Sequence, residues 1–109
     1  FDTFGPIGPY IVTKDEIKDI QNLNLELKLN GKVMQNGNTQ HMIFKVTHLV
    51  SYLSYFMTLK PGDIITTGTP PGVGMGRKPQ VFLKDDDEMT LSINSLGEQK
   101  QKVISSKAI

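Results

Sequence analysis

Leu23, Leu25, Leu27 and Leu29 alternate with polar residues, the period of a strand with one face buried. Asn30-Gly31 follows, and because both residues tolerate positive φ the pair predicts a two-residue hairpin turn. Lys32 to Gln35 is expected to return as the partner strand, with Asn36-Gly37-Asn38 breaking the ladder. Further along, Val46, Leu49, Val50, Leu53, Phe56 and Met57 recur at helical spacing, flanked by Tyr52 and Tyr55. That stripe predicts a helix capped by Thr47 and running to about Met57. Lys60-Pro61-Gly62-Asp63 stops it and turns the chain. Ile64 to Thr67 is expected as a short β-branched strand, Gly68 to Gly76 as a loop, and Val81 to Leu83 as a brief pairing. Met89, Leu91 and Ile93 alternate again, Ser95-Leu96-Gly97 turns, and Gln99 to Ile104 closes an antiparallel pair. Near the start, Thr13-Lys14-Asp15-Glu16 fits a capping box for a turn or two of helix.

These elements predict an α+β fold, mostly antiparallel β with one clear helix. Strands and helices do not alternate, which argues against a parallel doubly wound sheet. The 109 residues suffice for one small domain. With 38% apolar residues the core is modest, and a partner surface would help it. Net charge is +1 with the cations scattered, so no basic stripe invites nucleic acid. No apolar run reaches the roughly 18 residues of a membrane-spanning helix, and no signal peptide is visible. There is no Cys; disulfides and thiolate metal sites are excluded, and a cytoplasmic location is the expectation. Phe1 to Tyr10 holds Gly5, Pro6, Gly8 and Pro9, a shaped loop. The polypeptide is expected to continue upstream of Phe1; a processed terminus is the alternative.

The segment richest in chemistry is Thr66-Thr67-Gly68-Thr69-Pro70-Pro71-Gly72-Val73-Gly74. Glycines let backbone approach a ligand and can turn several N–H groups into one concavity. The three hydroxyls can donate to a carboxylate or an enolate oxygen. A rigid irregular turn with no ligand remains the other reading of this composition. A nucleotide loop is excluded: Arg77 breaks the G-x-G-x-x-G spacing begun at Gly72 and Gly74, and Lys78 is followed by Pro79 instead of Ser or Thr. His41 and His48 are expected as surface or partly packed residues rather than metal ligands, and Asp85-Asp86-Asp87-Glu88 as a solvated acidic turn without the spaced ligands of a calcium loop. Ser51 and Ser54 lie on the helix without a glycine elbow. The cations of Gly76-Arg77-Lys78-Pro79 are expected in solvent, with a second substrate carboxylate as the alternative.

Four ordered blocks resemble the fumarylacetoacetate hydrolase family: Phe1-Asp2-Thr3-Phe4-Gly5-Pro6-Ile7-Gly8-Pro9; Gly37-Asn38-Thr39 with Met42-Ile43-Phe44; Pro61-Gly62-Asp63-Ile64-Ile65; and Thr67-Gly68-Thr69-Pro70-Pro71-Gly72-Val73-Gly74. They span nearly the whole chain; within the family the 2-hydroxyhepta-2,4-diene-1,7-dioate isomerase and ureidoglycolate lyase-like subgroup is the expectation, with the subfamily open. The resemblance implies a mixed β-roll with short helices, with residues 1–109 forming the C-terminal portion of one catalytic domain. It implies a Mg²⁺ or Mn²⁺ cofactor, a homodimer and a small-molecule oxo acid as partner. The implied reaction is hydrolytic or lyase cleavage of C–C bonds in 2-oxo or 2,4-dioxo acids. Isomerisation or decarboxylation of hydroxydienedioates of the 2-hydroxyhepta-2,4-diene-1,7-dioate type is the alternative.

Position by position, the resemblance places Thr69 on substrate, with Gly68 and Pro70 shaping the same wall, and Thr3 near the metal. It also implies what this sequence lacks. The family's Glu-x-Glu pair, its later Asp and its lysine all fall upstream of the residue matching Phe1, and no Glu-x-Glu occurs here. No metal ligand and no catalytic residue is therefore assigned within this chain, which alone is expected to be inactive. An inactive fragment or split-gene subunit acting only in an oligomer is the non-enzymatic alternative. Asp86 stands where the family usually has Gly, which is expected to alter one turn.

Overall fold

Two hairpins, joined through their inner strands, make the frame of the computed structural model, which describes residues 2–105. Phe1, the first residue of the Phe1 to Pro9 block, lies outside the described residues. Strand β1 (Asn24–Leu29) turns into β2 (Lys32–Asn38), and β3 (Glu88–Ile93) turns into β4 (Gly97–Lys102). The sheet order is β2-β1-β3-β4 and every pairing is antiparallel. The one α-helix among the described residues, α1 (Val46–Ser54), completes the α+β fold. Asn30 (φ 49°) and Gly31 (φ 77°) make the first hairpin turn as their composition demands.

The leucine alternation sets the register. Leu25 faces Ile93, Leu27 faces Leu91 and Leu29 faces Met89. Residues directly opposite in an antiparallel ladder share a face, so these six form one apolar surface. The outer strands place polar side chains on that surface: Gln35 opposite Leu27, Gln99 opposite Leu91 and Gln101 opposite Met89. Gln99 uses its amide to hold the Gly8 carbonyl of the N-terminal segment, and Gly97 leaves room for the Tyr10 ring, whose hydroxyl oxygen would lie 2.7 Å from a Cβ there. The opposite face carries Glu26, Lys28, Thr90 and Ser92, with Glu26 and Lys28 paired at 2.8 Å.

Several expectations are corrected. β2 does not stop before Asn36; it runs through Gly37 to Asn38, because Asn24 and Leu25 still supply partners. β4 begins at Gly97 and ends at Lys102, without Val103 or Ile104. Ile64 to Thr67 and Val81 to Leu83 form no strand, since neither segment lies along a sheet edge. The capping box at Thr13 gives only a 3₁₀ turn, Lys14–Glu16, with no side-chain cap; Thr13 instead holds the Asp15 carboxyl below its ordinary range. Helix α1 starts one residue before Thr47 and ends at Ser54. Its first N–H, on Val46, donates to Oε1 of Gln21 at 3.0 Å. The same Gln21 donates through Nε2 to the Thr39 carbonyl, so the cap comes from a side chain 25 residues away.

The acidic turn is tied down rather than merely solvated. Asp87 accepts from the Asn30 amide (2.8 Å) and from the Lys84 N–H (2.7 Å), Asp85 accepts from the Ser105 N–H, and Asp86 pairs with Lys102 at 2.7 Å. Asp86 has φ 67°, a left-handed conformation that glycine adopts without steric cost. The Asn30 amide, then the Lys84 N–H, hold the Asp87 carboxyl below its usual range. A depressed carboxyl stabilises the fold above its unfolded value of about 3.9 and loses that contribution as pH falls through its folded value. In the full-length protein, Asp87→Asn is therefore expected to lower the melting temperature at neutral pH and to flatten its fall between about pH 5 and pH 2. An unchanged acid limb in thermal melts would remove Asp87 from that role.

Among the described residues only Leu23 is buried, at 7% exposure. The accessible surface is 9129 Å², whereas a compact monomer of this mass exposes about 6000 Å². The radius of gyration is 15.8 Å, against about 13 Å for a compact chain of this length. The leucine face is thus only half covered. No helix among the described residues is long and apolar enough to cross a membrane.

Candidate functional site

The glycine- and proline-rich loop is held by β2 side chains and carbonyls rather than by a ladder of its own. The register slips between Leu27 and Lys28, whose partners are Gln35 and Val33. Met34 is the extra residue of a bulge, which leaves its carbonyl off the ladder. Arg77 donates one guanidinium N–H to that carbonyl and, through Nε, another to the Gly72 carbonyl at 3.0 Å. Arg77 is therefore a half-buried clamp and not a solvated cation, while Lys78 is exposed as expected. Gly72 (φ 114°) lies so close that an added Cβ would sit 2.2 Å from the Met34 oxygen. Beside it, Pro70 packs on Gly37, where a Cβ would meet the ring at 2.7 Å. Gln35 donates to the Pro70 carbonyl at 2.6 Å and to Oγ1 of Thr69 at 2.8 Å. Downstream, the 3₁₀ turn Gly74–Gly76 is closed by the Val81 N–H donating to the Gly74 carbonyl at 3.0 Å.

Loop, β2 and the start of α1 together line an open cavity of about 720 Å³. Thr67, Gly68, Thr69, Pro70 and Pro71 form one wall, Leu25 and Asn36 to Thr39 the floor, and His41 to Phe44 with Leu49 the far side. Two of the floor's polar side chains are committed to structure. Asn38 donates to Asn22 and Asn24 and caps the 3₁₀ turn Thr39–His41, and the Thr39 hydroxyl bridges the Leu23 N–H and the Ile20 carbonyl. Thr67 and His41 make no side-chain hydrogen bond to the described residues. The lining carries no carboxylate, Lys or Arg. Among the described residues, every group with a clearly shifted pKa lies outside it. Such a wall can bind and orient an acceptor-rich ligand, but it holds no acid–base pair of its own.

Of the residues singled out from sequence, Thr69, Gly68 and Pro70 come together on this wall. Thr3 does not join them: it is exposed and outside the cavity lining. His41 lines the cavity, whereas His48 stacks between Phe44 (centroids 5.1 Å) and Tyr52 (6.1 Å) on an exposed side of α1. No group of three or more His, Asp or Glu among the described residues could hold a metal ion. The donor set of these residues therefore does not fit a divalent cation. Sequence reasoning missed Gln35, Arg77 and Gln21. Gln35 carried no local signal: the hairpin register set by Asn30-Gly31 would pair Met34 with Leu27, and only the bulge at Met34 brings Gln35 onto the leucine face, where something polar must meet it.

The family model for the fumarylacetoacetate (FAA) hydrolase C-terminal region matches residues 1–104. A Burkholderia cenocepacia (strain HI2424) protein, provisionally named a hydrolase, is 61% identical over 103 residues, which are 94% of this chain and 36% of that protein. The chain thus spans about a third of the curated relatives it matches. Maleylpyruvate hydrolase from Sphingobium sp. SYK-6, solved with manganese(II) and pyruvate, superposes with a TM-score of 0.83 at 35% identity over 91% of this chain and 35% of the enzyme. The 2-hydroxyhepta-2,4-diene-1,7-dioate isomerase of Mycobacterium marinum gives 0.78 at 37% identity over 91% and 35%.

Proposed function

The chain belongs to the fumarylacetoacetate hydrolase family, and from that premise we propose that it forms the carboxylate-binding wall of a divalent-metal-dependent hydrolase or lyase. The whole protein would cleave C–C bonds in small 2-oxo or 2,4-dioxo acids. The observation that carries this reading is the cavity itself: a threonine and glycine wall, clamped to β2, facing a mostly apolar far side. Apolar lining with a few fixed polar groups is the usual composition of a small-molecule site. The manganese and pyruvate of the Sphingobium enzyme support both the metal and the acid class. The described residues do not supply the metal site, so Mg²⁺ or Mn²⁺ would be held elsewhere in the whole protein, and Thr3 near it stays a positional assignment. Residues 1–109 would be the C-terminal portion of a single catalytic domain and inactive alone.

What this chain contributes is recognition. An ionised carboxylate and an oxo group offer only acceptors, and the Thr67 and Thr69 hydroxyls with the backbone around Gly68 can supply donors to them. A homodimer belongs to the same reading, supported by the uncovered apolar surface. A cytoplasmic location rests on the cysteine-free sequence alone. Isomerisation of a hydroxydienedioate is the second reading, favoured by the Mycobacterium marinum isomerase at 37% identity.

Full-length protein assayed against maleylpyruvate, acylpyruvates and hydroxydienedioates, with Mg²⁺ or Mn²⁺, separates the two reactions by their products. Turnover that survives EDTA would sink the metal-dependent reading. Thr69→Val removes one hydroxyl hydrogen bond, about 1 to 3 kcal/mol, and is expected to lower kcat/KM roughly 5- to 150-fold. Unchanged kinetics would remove Thr69 from the site.

A further inference from the structure

Gln35 does not line the cavity, yet its amide nitrogen touches the wall at two points, the Pro70 carbonyl at 2.6 Å and the Thr69 hydroxyl oxygen at 2.8 Å. The two ends of a glutamine amide look alike in shape, so its orientation has to follow from its partners. Here one partner settles it. The Pro70 carbonyl can only accept, so the NH₂ end must face the loop. The nitrogen has two hydrogens: one goes to Pro70, and the other is directed at Thr69. A threonine hydroxyl has one hydrogen and can both accept and donate. With Gln35 donating to it, Oγ1 acts as acceptor on the β2 side, and the threonine's own hydrogen is left for the cavity that Thr69 lines.

We propose that Gln35 is a positioning residue that fixes the Thr69 hydroxyl as a donor toward the cavity, matched to a ligand whose nearest atoms only accept. This inference rests on the proposed small-acid function and deepens it. A substrate hydroxyl at the same place could meet either polarity; a carboxylate or oxo oxygen requires the donor. Gln35 thereby suits the wall to a carboxylate or oxo oxygen without touching the ligand. Its position opposite Leu27 on a paired strand suits the task, since a sheet holds a side chain more firmly than a loop does.

The test is a double-mutant cycle on full-length protein with Mn²⁺, reading the Kd for pyruvate by calorimetry. Gln35→Met keeps the length and loses both donors. It is expected to weaken pyruvate about 10-fold or more in the native background and less than about 2-fold in the Thr69→Val background, where there is no hydroxyl to orient. Equal losses in both backgrounds would overturn the proposal and leave Gln35 as a loop support acting through Pro70. Gln35→Glu keeps the shape of the native side chain, but its carboxylate accepts and would draw the Thr69 hydrogen away from the cavity. It is expected to weaken pyruvate at least as much as Gln35→Met, and near-native affinity in this variant also overturns the proposal. If the unmodified protein binds no pyruvate and turns over no oxo acid, the proposed function itself fails, an outcome distinct from additive losses in a protein that does bind.

Discussion

Gly72→Ala is expected to disable the full-length enzyme while Gly68→Ala leaves it folded and partly active, although both replace a glycine of positive φ in one loop. Gly68 (φ 87°) has nothing within 4 Å of an added Cβ. Its alanine suffers backbone strain alone, about 1 to 2 kcal/mol. Gly72 (φ 114°) adds a Cβ placed 2.2 Å from the Met34 oxygen and 3.2 Å from the Gln35 side chain. Neither neighbour can yield cheaply, because the Met34 carbonyl is held by Arg77 and the Gln35 amide by Thr69 and Pro70. The loop must therefore lift from β2, at a total cost of about 2 to 4 kcal/mol. Lifting it moves Thr69, and a displacement of about 1 Å at a reacting site can cost roughly 100-fold in rate. Steady-state kinetics and thermal melts on both variants would show the contrast. Native kcat/KM in Gly72→Ala would mean that the docked position of the loop is irrelevant to activity.

The same loop shows where sequence patterning stops being sufficient. Alternating leucines gave β1 and its register directly, because a one-residue slip would turn every leucine to the other face. Asn30-Gly31 gave the hairpin for an equally local reason. Ile64 to Thr67 failed because β-branched residues only fit a pleated surface when a partner strand is present, and the sheet's edges lie elsewhere. Gly37, expected as a break in the ladder, is paired with Leu25 and is small to admit Pro70. A glycine inside a strand often marks such close backbone approach, and that alternative explains this one. Thr69, Gly68 and Pro70 were legible as a group because they are contiguous. Gln35, Arg77 and Gln21 were not, since each acts on residues 5 to 43 positions away. The bulge that exposes the Met34 carbonyl has no local signature in the sequence.

Residues 1–109 prepared alone are expected to lack a sharp unfolding transition and to self-associate. The chain exposes roughly 3000 Å² beyond the surface of a compact monomer of its mass. A standard protein interface covers only about 800 Å² per partner, so one ordinary contact would not close the deficit. The exposed area is chemically specific: Ile43 is 92% accessible at the cavity mouth, Phe44 and Phe56 flank the aromatic stack on α1, and Phe4, Ile7 and Ile11 line the N-terminal segment. Each buried apolar side chain contributes about 1.5 to 3 kcal/mol relative to leaving it in water. Leaving these unburied removes much of a typical stability margin of about 5 to 15 kcal/mol. In the whole protein the same side chains would be covered, by upstream residues or by a second copy. Calorimetry should show a broad, concentration-dependent transition for the 109-residue chain and a sharp one for the full-length protein, and sedimentation should give a mass above 12.1 kDa for the short chain. A monomer that melts sharply and independently of concentration would show that the four-stranded sheet and α1 sustain themselves, and the requirement for a covering surface would then be wrong.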